Sequence, residues 1–213
     1  MDALPFTAQL INVFAAVLLL LSFAMLAQRR ILSLVDLLAW QGAALVGSTL
    51  AVAYSTGQQH LYYSAALTLA LKVILVPLVL HRLIRRLAVR WDTEPLLNIP
   101  ATMIVGLALV VFSFGLAQPI SALASTVTRS TLGIAIAVVM LSFLMMITRR
   151  KAISQVIGFL AMENGLFFAA TSATYGMPMV VELGVALDVL VGVVILGIFF
   201  FQIREQFDSL DLH

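Results

Sequence analysis

Seven long apolar runs follow one another along the chain, separated by polar breaks. About 20 apolar residues cross the hydrocarbon core of a bilayer as a helix, and a helix satisfies its own backbone hydrogen bonds there. Each run therefore predicts a transmembrane helix, and the predicted fold class is all-α, a polytopic membrane protein with seven transmembrane helices. The runs cover roughly 5–27, 31–54, 61–84, 98–118, 129–148, 152–173 and 178–203.

Composition supports a membrane protein and narrows its chemistry. Of the 213 residues, 62% are hydrophobic and only 10% are charged, which is too apolar for a soluble domain of this size. The chain has no cysteine, so thiolate-held zinc and cysteine-held iron–sulfur clusters are excluded within it. Its histidines lack the spacing of a metal site. We expect no metal and no cofactor in this chain, and any redox centre should belong to a partner.

Basic residues in the breaks predict the direction of the helices. Cytoplasmic loops carry an excess of Lys and Arg, and ten of the twelve basic residues fall on one side of the seven-span arrangement. We therefore expect the N-terminus outside and the C-terminus in the cytoplasm. The basic loop after the third run also carries acidic residues, which favours a topology signal over nucleic-acid binding. The ten residues are Arg29, Arg30, Arg82, Arg85, Arg86, Arg90, Arg149, Arg150, Lys151 and Arg204.

The sequence also contains a weak internal repeat. Aligning the second run with the sixth places Gln41 opposite Glu163, and aligning the third with the seventh places Lys72 opposite Asp188. Each copy also has an Arg-Arg pair just before its second helix. This predicts two parallel three-helix repeats related by an axis along the membrane normal and joined by a linker helix. The aligned positions are 38–44 with 160–166, and 70–76 with 186–192.

The repeat divides the chain into three parts. We expect an N-terminal three-helix repeat over 1–90, a linker containing the fourth transmembrane helix over 91–125, and a C-terminal three-helix repeat over 126–213.

Charged residues in the middle of apolar runs are the candidate functional groups. A charge at mid-helix costs roughly 2.5–3.5 kcal/mol on insertion scales, so Lys72, Glu163 and Asp188 predict a polar path or mutual pairing. An acid and an amine in contact titrate as a coupled pair, which suits a proton pathway. Gln41 and Asn164 are predicted to support them by hydrogen bonding. The alternative is a structural salt bridge between Lys72 and one of the two acids.

Three further polar residues are weaker candidates for the functional site than the charged residues in the middle of the runs. Glu182 is expected either to serve a proton exit or to cap a helix start. Asp36 is expected to form an interfacial ion pair with Arg29 and Arg30. His81 is either a cytoplasmic access point for protons or a residue that faces lipid headgroups.

The last three runs resemble the three-helix K-type subunit of respiratory complex I and related cation-antiporter subunits, through Arg149-Arg150, Glu163-Asn164 and Asp188. The whole chain resembles the hydrogenase-4 component E family. In the K-type family two membrane glutamates belong to the polar axis that carries protons, and the resemblance gives those roles to Glu163 and Asp188. The family's first glutamate aligns with Leu160, however, one turn before Glu163, and Asp188 replaces a glutamate.

The resemblance implies a membrane subunit of a complex-I-like respiratory or group-4 hydrogenase (formate hydrogenlyase) assembly. Such a chain has no active site of its own and contributes part of a proton-translocation pathway within an oxidoreductase complex. Its expected partners are antiporter-like and core membrane subunits, cofactor-bearing peripheral subunits and the lipid bilayer, with no nucleic acid. The alternatives are a free-standing small-metabolite transporter with a 3-1-3 helix arrangement, like the SWEET transporters, and a purely structural membrane-arm subunit.

Overall fold

A computed structural model of the chain describes residues 6–87, 98–121, 126–174 and 197. These residues form helices and contain no β-strand. The third helical rod is continuous from α3 through a π-helical segment into α4. The helices are α1 (Phe6–Ala27), α2 (Ile31–Thr56), α3 (Gln59–Thr68), the π segment (Leu69–Leu75), α4 (Val76–Leu87), α5 (Ile99–Ser121), α6 (Thr126–Thr148) and α7 (Ala152–Thr174).

Six of these rods are long and apolar enough to cross a membrane. They coincide with the first six apolar runs, so the prediction of an all-helical polytopic protein is confirmed to that extent. The prediction of a seventh helix over 178–203 lies outside the described residues except at Gly197.

Short connections between the rods are made by specific residues. Between α1 and α2 the Gln28 side-chain oxygen accepts the backbone N–H groups of Arg29 and Arg30, at 2.9 and 3.1 Å. At the other end of α2, Gly57 has a φ of 66° and donates its N–H to Ala53 at 2.9 Å. A left-handed residue is required at this type of helix end, and glycine adopts it without a steric cost. Neighbouring rods are therefore antiparallel.

The π segment brings the third rod close to α2. The N–H of Val76 bonds to the Leu71 carbonyl, five residues back, and the next residue, Pro77, has no N–H to continue the pattern. Gly42 of α2 lies against this segment. A Cβ at Gly42 would be 3.3 Å from Val73 Cγ2 and 3.4 Å from the Lys72 carbonyl oxygen. The missing side chain at position 42 allows this close approach.

Buried apolar residues form two layers with a polar layer between them. One layer lies at the end of the bundle that carries Arg29 and Arg149 and includes Leu34, Leu80 and Ile157. The other layer lies toward the opposite end of the bundle. Its fully buried members include Leu18, Leu45, Leu61, Ala135 and Phe168. Van der Waals packing of such layers holds helices together in lipid. Gln41, Lys72 and Glu163 fall between the two layers.

Candidate functional site

The centre of the site is an ion pair between the π segment and α7. Lys72 Nζ lies 2.8 Å from Glu163 Oε1, and the side chains are 12% and 8% exposed. Lys72 is 13 residues from either end of the Gln59–Arg85 rod, and Glu163 is 11 residues from either end of α7. At 1.5 Å per residue, each group is about 16–20 Å from the ends of its rod. Both groups therefore lie at the middle of the span.

Lys72 is held by two further groups on the same face of α7. Its ammonium donates a hydrogen bond to Asn164 Oδ1 at 3.1 Å, and it lies 5.2 Å from the centre of the Phe167 ring. A cation within about 6 Å of an aromatic face is attracted by the ring quadrupole. One turn of α7 thus supplies a carboxylate, an amide oxygen and an aromatic face to one ammonium group.

A line of hydrogen bonds continues from Asn164 to α1. The Asn164 Nδ2 donates to Gln41 Oε1 at 3.2 Å, and Gln41 Nε2 donates to Ser22 Oγ at 3.0 Å. The Ser22 hydroxyl donates in turn to the Leu18 carbonyl of its own helix, at 2.9 Å. Gln41 is fully buried and Asn164 is nearly so. The structure therefore brings together Lys72, Glu163, Asn164 and Gln41, which the sequence analysis had singled out separately.

Glu163 is the member of the site whose hydrogen-bonding capacity is not filled. Its Oε2 is buried and accepts no hydrogen bond from any residue that the structure describes. Beside it lies a small cavity in which the centre of a water molecule has about 10 Å³ available, roughly the room that one water needs. The cavity is lined by Leu38, Lys72, Val76, Leu160, Glu163 and Asn164.

His81 and Asp36 meet one another nearer the arginine end of the bundle. His81 Nε2 lies 3.4 Å from Asp36 Oδ1, and His81 Nδ1 lies 3.0 Å from the Pro77 carbonyl oxygen. The sequence analysis had paired Asp36 with Arg29 and Arg30, and that prediction was wrong. α2 turns the carboxylate toward α4, where the histidine lies across the helix interface, rather than toward the arginines before its own first turn.

Two predicted site residues, Asp188 and Glu182, lie outside the described residues. Their roles stay predictions. Across the part of the chain that the structure describes, no group of three or more histidine, aspartate and glutamate side chains is arranged to hold a metal ion.

Sequence reasoning missed the structural role of Arg149. It used this residue as a topology signal and as a marker of the repeat and of the K-type resemblance, yet Arg149 is 3% exposed and therefore buried in the bundle. Its Nη2 donates to the carbonyls of Leu26 and Gln28, at 2.9 and 2.7 Å, and lies 3.4 Å from that of Met25. A cation is favourable at the C-terminus of a helix, so Arg149 anchors α7 and α6 to the end of α1. Nothing in the sequence distinguishes it from the exposed Arg150 beside it.

Ser22 and Phe167 were also missed. Serine and phenylalanine are ordinary residues of membrane helices, and only their position on the face of α1 or α7 gives them a partner in the site. The one available signal was the spacing of Phe167, four residues after Glu163, which places the two on one helix face.

Comparison with known proteins gives relatives at two levels of similarity. Hydrogenase-4 component E of Escherichia coli (strain K12) is a distant homologue, 27% identical over 157 residues that cover 73% of this chain and 72% of that protein. The same figures hold for hydrogenase-4 component E of Shigella flexneri. No family model and no solved structure matches the chain.

A relative at the higher level of similarity matches along almost the whole chain. The uncharacterized protein Rv0085 of Mycobacterium tuberculosis (strain ATCC 25618 / H37Rv) is 33% identical over 204 residues, which cover 95% of this chain and 93% of the relative. The aligned region extends through all six described rods. The chain therefore belongs to the same family as the Mycobacterium tuberculosis protein Rv0085.

Proposed function

We propose that this chain is a membrane subunit of a complex-I-like, hydrogenase-type assembly and that the pair of Lys72 and Glu163 is a proton-translocation site in it. The apolar helices and the distant homology to hydrogenase-4 component E fit a membrane subunit of a hydrogenase-like complex. The proton role rests on one observation, an acid and an amine in contact at the middle of two membrane spans.

The energy of burial supports a functional role for the pair. A charge at mid-span costs roughly 2.5–3.5 kcal/mol, and ionisable residues at that depth mark ion pathways and proton relays. When the acid and the amine are 2.8 Å apart, proton binding at one changes the proton affinity of the other. A proton that reaches Glu163 cancels its charge and leaves the ammonium of Lys72 without its counter-ion. The pair therefore converts the arrival of a proton into a change of local charge.

The unfilled oxygen of Glu163 favours a proton site over a purely structural salt bridge. Structural ion pairs offset their desolvation by satisfying the remaining lone pairs with hydrogen bonds. Glu163 Oε2 has no such donor among the described side chains, and a cavity of one-water size lies next to it. A carboxylate that lines a cavity of this size is open to a proton carried by water.

We also propose the complete membrane arrangement. It has seven spans, with the seventh over 178–203, and two parallel three-helix repeats with α5 as the linker. Packing of α1 on α6 and of α2 on α7 supports the repeat, because an axis between two copies brings equivalent helices together. In this arrangement Asp188 occupies the position in the second copy that Lys72 has in the first, and Asp188 belongs to the same pathway. The arginine-bearing end is cytoplasmic.

In the proposed assembly, other subunits carry the redox cofactors. Electron transfer takes place on cofactor-bearing peripheral subunits, and this chain has no active site of its own. Antiporter-like and core membrane subunits are its neighbours in the prokaryotic inner membrane. The sequence resemblance to K-type subunits supports this placement, with Glu163 and Asp188 as the acids of the polar axis.

Purification with partners tests the assembly. The natively expressed chain, carrying an affinity tag, is purified in mild detergent, and its partners are identified by mass spectrometry. We expect hydrogenase-like and antiporter-like subunits. A homogeneous homo-oligomer that moves a sugar in liposomes would overturn the proposal and favour the free-standing transporter.

Proton flux tests the site. In membrane vesicles that contain the complex, Glu163→Gln is expected to abolish most substrate-driven proton uptake while the complex still assembles. The matched control is Leu166→Gln, a lipid-exposed position on the same helix. Normal proton uptake with Glu163→Gln would refute the role of the pair.

A further inference from the structure

The cavity beside Glu163 lies on one particular side of the ion pair. Its apolar lining residues are Leu38, Val76 and Leu160. Leu38 is three residues from Gln41, Val76 is four residues from Lys72, and Leu160 is three residues from Glu163. In each case the lining residue is about one helical turn nearer the arginine end of the bundle. The cavity that Glu163 lines therefore lies on the side of the pair toward the end of the bundle that carries the arginines.

The hydrogen-bonded line beside the pair has a structural role. It crosses the polar layer through the amides of Asn164 and Gln41 to Ser22, which donates to a carbonyl of its own helix. An amide group donates through nitrogen and accepts through oxygen but does not titrate, so it holds its neighbours in place without carrying a proton. The line is a scaffold for Lys72. The cavity that Glu163 lines is the space in which water can reach its carboxylate.

Beyond the cavity, in the same direction, lie His81 and Asp36. His81 is five residues past Val76, about 7.5 Å along the helix, which is the length of two or three hydrogen-bonded waters. The Asp36 side chain is 61% exposed and that of His81 is 28% exposed, so this pair reaches the surface. Arg82 and Arg85, on the same helix end, are exposed as well.

The hydrogen bond of His81 to the Pro77 carbonyl determines which ring nitrogen faces Asp36 as an acceptor in the neutral ring. A carbonyl oxygen only accepts, so the bond to Pro77 requires the hydrogen on Nδ1. In neutral histidine Nε2 is then an acceptor, facing a carboxylate oxygen at 3.4 Å, which also only accepts. The contact is favourable when one proton is present, carried either by Nε2 or by Asp36. The two groups therefore lie where a proton could pass between them at the surface.

We propose that His81 and Asp36 form the proton-exchange site of the arginine-bearing surface and deliver protons to Glu163 through the cavity between Leu38, Val76 and Leu160. The inference rests on the proposed function and adds the side and the route of proton access. The transfer is a relay. A proton leaves Nε2 of His81 for water, an excess proton moves along two or three waters, and Glu163 Oε2 binds a proton, while Asp36 and His81 take up a replacement from solvent.

A cysteine-accessibility experiment tests the route without measuring proton flux. Because the chain has no cysteine, Leu38→Cys and Leu45→Cys each introduce a single thiol into it. The two leucines are buried on α2, one turn to either side of Gln41. Ag⁺ is added to vesicles that expose the arginine-bearing surface of the intact complex. The thiol that has not reacted with Ag⁺ is then alkylated, and mass spectrometry of this chain measures the alkylated fraction.

The thiol at position 38 is expected to react with Ag⁺ about tenfold faster than the thiol at position 45, because reaction needs water to accept the thiol proton. Equal rates, or faster reaction at position 45, would overturn the proposed route. If the Leu38→Cys protein does not accumulate, Leu160→Cys on α7 replaces it against the same control.

Proton-flux measurements separate the route from the proposed function. His81→Gln and Asp36→Asn are expected to slow proton uptake several-fold, whereas Arg82→Gln, an exposed neighbour of His81, leaves the rate unchanged. Loss of uptake with Glu163→Gln but normal uptake with His81→Gln would refute the access site and leave the ion pair as a proton site. Normal uptake with Glu163→Gln would refute the proposed function itself, and the silver experiment would still decide whether the cavity is wet from this side.

Discussion

Removing the charge of Lys72 is expected to destabilise the bundle, and removing the charge of Glu163 as well is expected to restore much of the loss. In Lys72→Met the carboxylate of Glu163 stays at mid-span, 8% exposed, without its counter-ion. Breaking a buried ion pair on one side costs about 3–5 kcal/mol, whereas replacing both partners is often neutral. The double variant Lys72→Met, Glu163→Gln should therefore be more stable than Lys72→Met alone.

The magnitude follows from the contacts of the pair. The charge left behind costs roughly 2.5–3.5 kcal/mol on insertion scales. For a chain of about 200 residues, 1 kcal/mol shifts Tm by about 2–4 °C, so Lys72→Met should lower Tm by roughly 6–12 °C. The double variant should recover more than half of that shift. The coupling free energy of the double-mutant cycle should be about 2–3 kcal/mol.

The assay is thermal unfolding of the purified chain in one detergent, followed by the fraction that remains monodisperse after heating. Lys72→Arg, which keeps a cation opposite Glu163, is the matched control and should shift Tm far less than Lys72→Met. Additive single effects, with a coupling below about 0.5 kcal/mol, would refute the ion pair as an energetic unit.

Proton uptake is measured on the same variants. The double variant should regain stability but should still lack proton uptake. If proton uptake returned together with stability, the proton role of the pair would be refuted.

Three other variants test the surroundings of the pair. Arg149→Ala removes the donors at the end of α1 and should cost about 2–4 kcal/mol of unfolding free energy, whereas the exposed Arg150→Ala should cost under about 0.5 kcal/mol, both read from Tm in detergent. Asn164→Ala takes an acceptor from Lys72 and should cost about 1–3 kcal/mol, measured in the same way. Gly42→Val places methyl groups where the Lys72 carbonyl lies and should slow proton uptake in vesicles, and unchanged uptake would contradict the close approach of α2.

The sequence was sufficient to predict the helical rods because apolar length alone determines them. Six of the predicted runs coincide with described helices, and the breaks between them are polar or glycine-containing. It also identified Lys72 and Glu163, since each charge is conspicuous in an apolar run. The neighbours of these charges could not be predicted, because helix-to-helix contacts depend on which faces meet. Periodicity along one helix gives a face but not its partner.

Asp36 illustrates the same limit at the arginine end. Arg29 and Arg30 are close to it in sequence, which made them the expected partners, but His81 lies across the interface with α4 and makes the contact. The π segment was not predicted either. Pro77 indicated a disturbed helix, yet the sequence did not reveal that the hydrogen bonds would shift to five-residue spacing before it.

The two members of the ion pair have different freedom, and this difference predicts which of them exchanges protons in the proposed pathway. Lys72 is fixed by the carboxylate of Glu163, the amide of Asn164 and the ring of Phe167, and Asn164 is fixed in turn by Gln41. A cation with these contacts gains little by giving up its proton. The acid has one oxygen on the lysine, its other oxygen accepts no hydrogen bond from the residues that the structure describes, and its carboxylate lines the cavity. In the proposed pathway the acid is thus expected to exchange protons, and the fixed cation is expected to set how strongly it binds them. The π segment supplies the amine and α7 supplies the acid, so the site forms only when the two halves of the chain pack together.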